Sequence, residues 1–189
     1  MTGIILAGGK STRFGSDKSF MEINGQPLLK KQISVLKKKF RKIIIVSDNA
    51  GHKYKDTQTV KDIVPCCGPL GGIYSGLIMS PSFHNFVVAC DMPNINLLLL
   101  EYMIKLKNGF DAVVPCLKNG CEPLFAIYSK KCIPVIEKMI NDDNLRIKNF
   151  FNKIKLKKIK KKEIAKFGNP EVLFFNINTP TDYEKLLHT

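Results

Sequence analysis

Arginine is the basic residue this chain almost does without. Lysine and arginine together number 30, yet the arginines are Arg13, Arg41 and Arg146 alone. Bidentate reading of base edges and phosphates falls mainly to arginine. The net charge of +14 therefore reads as solvated lysine faces, and nucleic acid is not expected among the partners. Long apolar runs are missing as well. None approaches the roughly 18 residues that a membrane span needs, so no membrane segment is expected. No basic region precedes the first apolar stretch, which runs straight into glycines. A secretion signal is therefore not expected, and a cytoplasmic location is. Six cysteines are present, but none forms Cys-x-x-Cys. They are expected to be reduced, with no structural zinc. Cys121, beside a motif described below, leaves a functional thiol open. The common phosphate-loop templates are absent too. Gly9-Lys10-Ser11 imitates the end of a Walker A loop, but its first glycine would fall at Ile4, and no Gly-x-Gly-x-x-Gly occurs.

What is present begins with enough chain for a sizeable core. The 189 residues suit one domain, residues 1–189. A hydrophobic fraction of 44% and a mean hydropathy of -0.04 fit a globular protein. The organising stretch is Met1 to Lys18. Thr2 to Leu6 is short, apolar and β-branched at Ile4 and Ile5, which reads as a buried strand. Ala7-Gly8-Gly9 turns the chain without obstructing side chains. The next residues include Lys10, Ser11, Thr12, Arg13, Gly15, Asp17 and Lys18. Small residues let backbone N–H groups approach an anion, and cations neutralise it. The stretch reads as a phosphate-binding loop after the first strand of an α/β fold.

Alternating elements follow. Pro27 opens a helical pattern through Leu28, Leu29, Ile33, Leu36 and Phe40. Ile43 to Val46 reads as a strand closed by Ser47-Asp48-Asn49, and Thr59 to Val64 as another. Gly68-Pro69-Leu70-Gly71-Gly72-Ile73 starts a helix expected to bury Ile73, Leu77 and Ile78. Phe86 to Cys90 is continuous and apolar, the pattern of a central parallel strand, and it ends in Asp91-Met92-Pro93. Helix is expected over Asn96–Lys107, strand over Asp111–Pro115, a turn at Lys118-Asn119-Gly120 and strand over Glu122–Tyr128. Helix then runs from Ser129 to Ile140, and a further helix across Leu145–Phe151 is capped by Asn144. The lysine-rich run Ile154–Lys162 fits an edge strand whose lysines discourage pairing with other chains; it also fits a surface for an anionic cofactor or partner protein. Leu173 to Pro180 reads as a last strand with Asn176 and Asn178 on one face, and Thr181–Leu187 as a docking helix. Strands alternating with helices imply a three-layer α/β/α sandwich with a mostly parallel, Rossmann-like sheet. Ligands in such sheets bind at the carboxyl ends of the strands, where Asp91 is placed to hold Mg²⁺. His52, His84 and His188 lie outside these motifs.

The run Leu-Ala-Gly-Gly-x-Ser-x-Arg-x-Gly-x-Asp-Lys, Leu6 to Lys18, resembles the signature loop of the NTP-transferase family. Its spacing resembles most the molybdenum cofactor guanylyltransferases within it, as do Asp62, Gly68–Gly72, Asp91, Glu122-Pro123 and the Asn176–Pro180 segment. The resemblance implies a nucleotide-diphospho-sugar transferase-like fold. It also implies Mg²⁺-dependent transfer of GMP from GTP to the terminal phosphate of molybdenum-molybdopterin, with release of pyrophosphate. It places Arg13, Lys18 and Asp91 in catalysis and Mg²⁺ on Asp91. GTP is expected to meet Leu6, Ala7, Gly8, Gly9, Lys18, Ser47, Asp62, Gly68, Gly72 and Asp91. Ser47 stands where the guanylyltransferases carry Asn. The acceptor is expected to meet Glu122, Asn176 and Asn178. Molybdopterin-handling proteins and molybdoenzyme chaperones are the implied protein partners. Rival readings are the same chemistry with CTP on molybdopterin or an NTP on a sugar or polyol phosphate, and a non-enzymatic basic nucleotide- or partner-binding module.

Overall fold

The computed structural model describes residues 1–8, 22–23, 25–49 and 51–187. Its strands, in chain order, are β1 (Thr2–Leu6), β2 (Glu22–Ile23), β3 (Gln26–Pro27), β4 (Lys42–Val46), β5 (Gln58–Val60), β6 (His84–Ala89), β7 (Ala112–Leu117), β8 (Gly120–Cys121), β9 (Phe125–Ser129) and β10 (Leu156–Lys160). The main sheet has the order β10-β7-β9-β6-β1-β4-β5, with β8 hairpinned onto β7. Strands β6, β1, β4 and β5 run parallel, as do β7 and β10. Strand β9 lies antiparallel between β6 and β7. A short β2–β3 hairpin stands apart from this sheet.

Every residue of β1 is buried, because the strand is covered on both faces. Its side chains alternate between two cores. Ile5 and Ala7 join Leu29, Ile33 and Leu36 of α1 (Leu28–Lys37) and Leu99, Leu100 and Met103 of α3 (Leu97–Leu106). Ile4 and Leu6 join Leu70, Ile73 and Leu77 of α2 (Gly68–Met79), with Ile136 and Met139 of α4 (Cys132–Asn141) and Phe150 of α5 (Ile147–Phe151) in the same cluster. Each fully buried Ile or Leu is worth about 1.5–3 kcal/mol, so the two clusters hold the sandwich. Helix α2 lies close on β1. A Cβ at Gly76 would come 2.7 Å from Ile4 Cγ2, so no side chain fits between helix and strand there. Short helices α6 (Lys161–Ile164) and α7 (Pro170–Leu173) lead to α8 (Pro180–Leu187).

The expected three-layer α/β/α sandwich with a mostly parallel sheet is observed, and so is the lysine-bearing edge strand, which is β10. Several local expectations change. No strand forms over Leu173–Pro180. Asn169 caps the start of α7 with Pro170 at its first position, so the chain enters a helical turn and then irregular structure. Ser129 ends β9 rather than opening α4. Arg146, not Asn144, precedes α5, and Asn144 instead accepts from Asn149. Ile78 is 40% exposed, since it turns away from the sheet. The cysteines are not all reduced. Cys116 and Cys121 face each other across the β7–β8 hairpin and form a disulfide, while Cys66, Cys67 and Cys132 are free thiols.

Candidate active site

The parallel register aligns four strand ends in one row. Leu6 pairs with both Val46 and Ala89, and Val46 pairs with Val60. Beyond this row the chain continues two residues to Gly8 after β1, Asp48 after β4, Asp62 after β5 and Asp91 after β6. Neighbouring strands lie about 4.8 Å apart. Asp91 and Asp62 are three strand steps apart, so they stand roughly 14 Å from each other along the carboxyl edge.

Backbone hydrogen bonds hold this edge past the strands themselves. Ser47 N donates to Val60 O, Ala7 N to Val46 O and Cys90 N to Leu6 O, at 2.9–3.0 Å. Ala89 N donates to Leu124 O at 3.0 Å. Because β9 is antiparallel, it begins at the edge where its parallel neighbours end, and Glu122 and Pro123 arrive there with it. Glu122 N donates to Pro115 O at 2.8 Å, and partial burial pushes its carboxyl up from the usual range. Ile177 N donates to Asp91 O at 2.9 Å, which brings the closing segment against the Asp91 turn.

The Asp91 turn is also gripped from α1. Gln32, 1% exposed, donates from Nε2 to Ala89 O at 2.9 Å and Met92 O at 2.7 Å. One amide thus ties down both carbonyls that flank Cys90-Asp91. Its Oε1 is buried with no hydrogen-bond partner among the described residues. At the other end of the row, Asp62 Oδ1 accepts from Ser75 Oγ at 2.6 Å and from Val64 N at 3.2 Å. Ser75 lies fully buried in α2, and its Oγ accepts from Ile63 N at 2.9 Å. Gly68, with φ +56°, opens α2 beside this loop, and Gly72 packs over Leu6.

Ser47 behaves differently from expectation. It is 4% exposed, and its hydroxyl is turned into its own loop, accepting from Asn49 N at 3.0 Å and meeting His52 Nδ1 at 2.7 Å. Its part is to shape the turn after β4, with buried His52 as its support. Asn176 and Asn178 do not share a strand face. Asn176 donates its amide to Phe174 O at 3.2 Å, and Asn178 N donates to Asp182 Oδ2 at 3.0 Å. Both nevertheless flank Ile177, the residue bonded to Asp91. Gly9, Arg13 and Lys18 lie outside the described residues.

The structure therefore gathers Leu6, Ala7, Gly8, Asp62, Gly68, Gly72, Asp91 and Glu122 along one edge. Sequence reasoning did not find Gln32, His52 or Ser75. A signal for Gln32 was available: it is the polar member of an otherwise apolar helical stripe, Leu28, Leu29, Ile33 and Leu36. Among the described residues no three His, Cys, Asp or Glu side chains converge as a metal cage. A single carboxylate at a strand end, such as Asp91, fits Mg²⁺ in so far as that ion is commonly held by one or two carboxylates plus substrate phosphates. No helix among the described residues is long and apolar enough to cross a membrane.

Residues 3–157 match the family described as MobA-like NTP transferase domain. The chain is 35% identical over 187 residues to the probable molybdenum cofactor guanylyltransferase of Pelotomaculum thermopropionicum, covering 97% of this chain and 90% of that one. It is 34% identical to the molybdenum cofactor guanylyltransferase of Desulfosudis oleivorans, covering 98% and 93%. Among solved structures, molybdopterin-guanine dinucleotide biosynthesis protein A from Archaeoglobus fulgidus superimposes with a TM-score of 0.83 at 25% identity, covering 100% of this chain and 97% of that one.

Proposed function

The chain belongs to the MobA-like NTP transferase family, and from that premise we propose that it transfers GMP from GTP to the terminal phosphate of molybdenum-molybdopterin. The products are molybdopterin guanine dinucleotide and pyrophosphate. The observation that carries this reading is the row of strand ends, with one carboxylate, Asp62, at its outer end and another, Asp91, at its inner end. A base at Asp62 and phosphates at Asp91 span that row in one extended nucleotide. Guanine offers two adjacent donors, N1–H and N2–H, that a carboxylate can accept. The glycine turn after β1 lies between, where the triphosphate passes.

In this reading, residues 1–189 form a single nucleotidyltransferase domain. Gly8 and Gly9 offer backbone N–H groups to the phosphates, and Arg13 and Lys18 neutralise their charge. Asp91 holds Mg²⁺, which when bound supplies charge neutralisation at the phosphates. A phosphate acceptor is already ionised near neutral pH, so no general base is required, and positioning supplies much of the rate. Glu122 and the Asn176–Asn178 segment border the acceptor. Ser47 contributes by shaping its turn. The protein acts in the cytoplasm, and molybdopterin-handling proteins and molybdoenzyme chaperones are its partners.

Calorimetry with GTP, CTP, ATP and UTP in the presence of Mg²⁺ tests the donor, and incubation with molybdenum-molybdopterin tests the transfer. The expected result is preference for GTP and formation of the dinucleotide. Preference for CTP, or GTP binding without transfer, would overturn the proposed activity.

A further inference from the structure

Ser75 does more than a helical serine needs to. A serine inside a helix ordinarily returns its hydrogen to the carbonyl four residues back. Gly71 O is available for that at 2.9 Å. The shorter contact, at 2.6 Å, is to Asp62 Oδ1, in the range of a charge-assisted O–H···O⁻ bond. The same oxygen of Ser75 accepts from Ile63 N. One hydroxyl thus ties both the side chain of Asp62 and the peptide that follows it to a rigid helix. Val64 N completes the loop by donating to the same carboxylate oxygen.

The consequence is a division of labour within one carboxylate. Oδ1 carries the internal bonds. Oδ2 takes no hydrogen bond among the described residues, and it lies 3.4 Å from where a Cβ on Gly71 would be. It therefore faces the start of α2 at Gly71, where Cys67 Cβ and Val64 O also approach, each 2.9 Å from that position. We propose that Ser75 is a positioning residue for base selection: it locks the rotamer of Asp62 so that the carboxylate meets the N1–H and N2–H edge of guanine without reorganisation. This rests on the proposed role of Asp62 in reading the base. A free carboxylate would have to be ordered on binding, and ordering costs affinity. A locked one spends that cost on folding, and the selectivity for guanine gains.

The test compares GTP with inosine triphosphate, which lacks the 2-amino group, by calorimetry and by steady-state kinetics. Ser75→Ala is expected to weaken GTP binding about tenfold, the scale of a lost hydrogen bond to a charged group. Inosine triphosphate should lose less, so the ratio of the two affinities falls. At saturating GTP, kcat should stay within about twofold, because the phosphates and Asp91 are untouched. In an Asp62→Ala background the Ser75→Ala change should leave the ratio where it is, since Ser75 acts through Asp62. Ser75→Cys, close in size but a weak donor, should fall between serine and alanine, and it carries the test if the alanine variant does not fold. Equal loss of both nucleotides in Ser75→Ala, or an unchanged ratio, overturns the proposal. An Asp62→Ala protein with an unchanged ratio overturns the guanine reading itself. A ratio lowered by Asp62→Ala but not by Ser75→Ala removes only the role of Ser75.

Discussion

The two carboxylate corners of the site are built in opposite ways. Asp91 follows β6, which has neighbours on both sides. Its turn is held by groups from far along the chain: the Gln32 amide, Leu124 O and Ile177 N. Asp62 follows β5, a three-residue strand at the edge of the sheet. Its loop is held from one element, α2, through Ser75. The corner assigned to the phosphates is therefore locked into the core, while the corner assigned to the base hangs on a single helix. In the proposed reading, chemistry common to a nucleotidyltransferase sits where change is costly, and choice of base where a few substitutions can alter it without disturbing the rest.

Four experiments break or sharpen that contrast. Asp91→Ala should lower turnover by on the order of 10³ in steady-state kinetics; an active variant would remove Asp91 from the mechanism. Asp62→Ala should raise KM for GTP about 10- to 100-fold, the effect of losing charged hydrogen bonds, and spare kcat. A loss confined to kcat would place Asp62 among the phosphate-binding groups instead. Gln32→Ala should cost roughly 2–4 kcal/mol of stability, because it strands the Met92 carbonyl, leaves Ala89 O with Met92 N alone and opens a void. Chemical denaturation reads this directly, and a neutral result would mean the clamp is replaced by water. Unlike Asp62→Ala, Gln32→Ala should also depress kcat, since the Asp91 turn loosens.

The smallest effect concerns pH. Burial raises the folded-state pKa of Glu122 above its ordinary value of 4.5, so the unfolded chain releases this proton first. Glu122 stabilises the fold fully only below its unfolded pKa, and that contribution is lost as pH rises through the folded value. Relative to wild type, Glu122→Gln should therefore gain stability as pH climbs from about 4 to neutrality, a trend that thermal melts in a pH series would reveal. A flat difference would mean the carboxyl is well solvated.

Legibility in the sequence followed the same divide. Continuous apolar runs announced β1, β4 and β6, and the acid after β6 marked the Asp91 corner, because strand ends carry function in parallel sheets. The lysines around Ile154 and Leu156 betrayed an edge by their alternation with these two residues, and β10 begins at Leu156. Strand direction was not legible. The apolar run Phe125–Tyr128 suits either orientation, and only pairing reveals that β9 runs backwards. The closing segment misled through its alternating apolar residues. Phe174 is buried against the Phe125 ring of β9 and Ile177 against Leu28 of α1 rather than by strand pairing, and the Asn169-Pro170 start of a helical turn outweighs the alternation. The Cys116–Cys121 bond was concealed because a spacing of five becomes a direct cross-strand pair only when the hairpin register is known. Gln32 and Ser75 act on backbone groups and on another side chain, contacts that no motif spacing records.

The hydrogen bond from Ile177 to Asp91 also sets an order of events. Every strand of the main sheet lies within the first 160 residues. A growing chain can lay down the whole sheet, bury β1 on both faces and form the disulfide hairpin while the Asp91 turn still lacks its last tie. The tie from Ile177 therefore becomes available only after the residues of every one of these strands have been made. The Asp91 end of the row takes its last backbone tie from a segment that, among the described residues, adds no strand to the sheet.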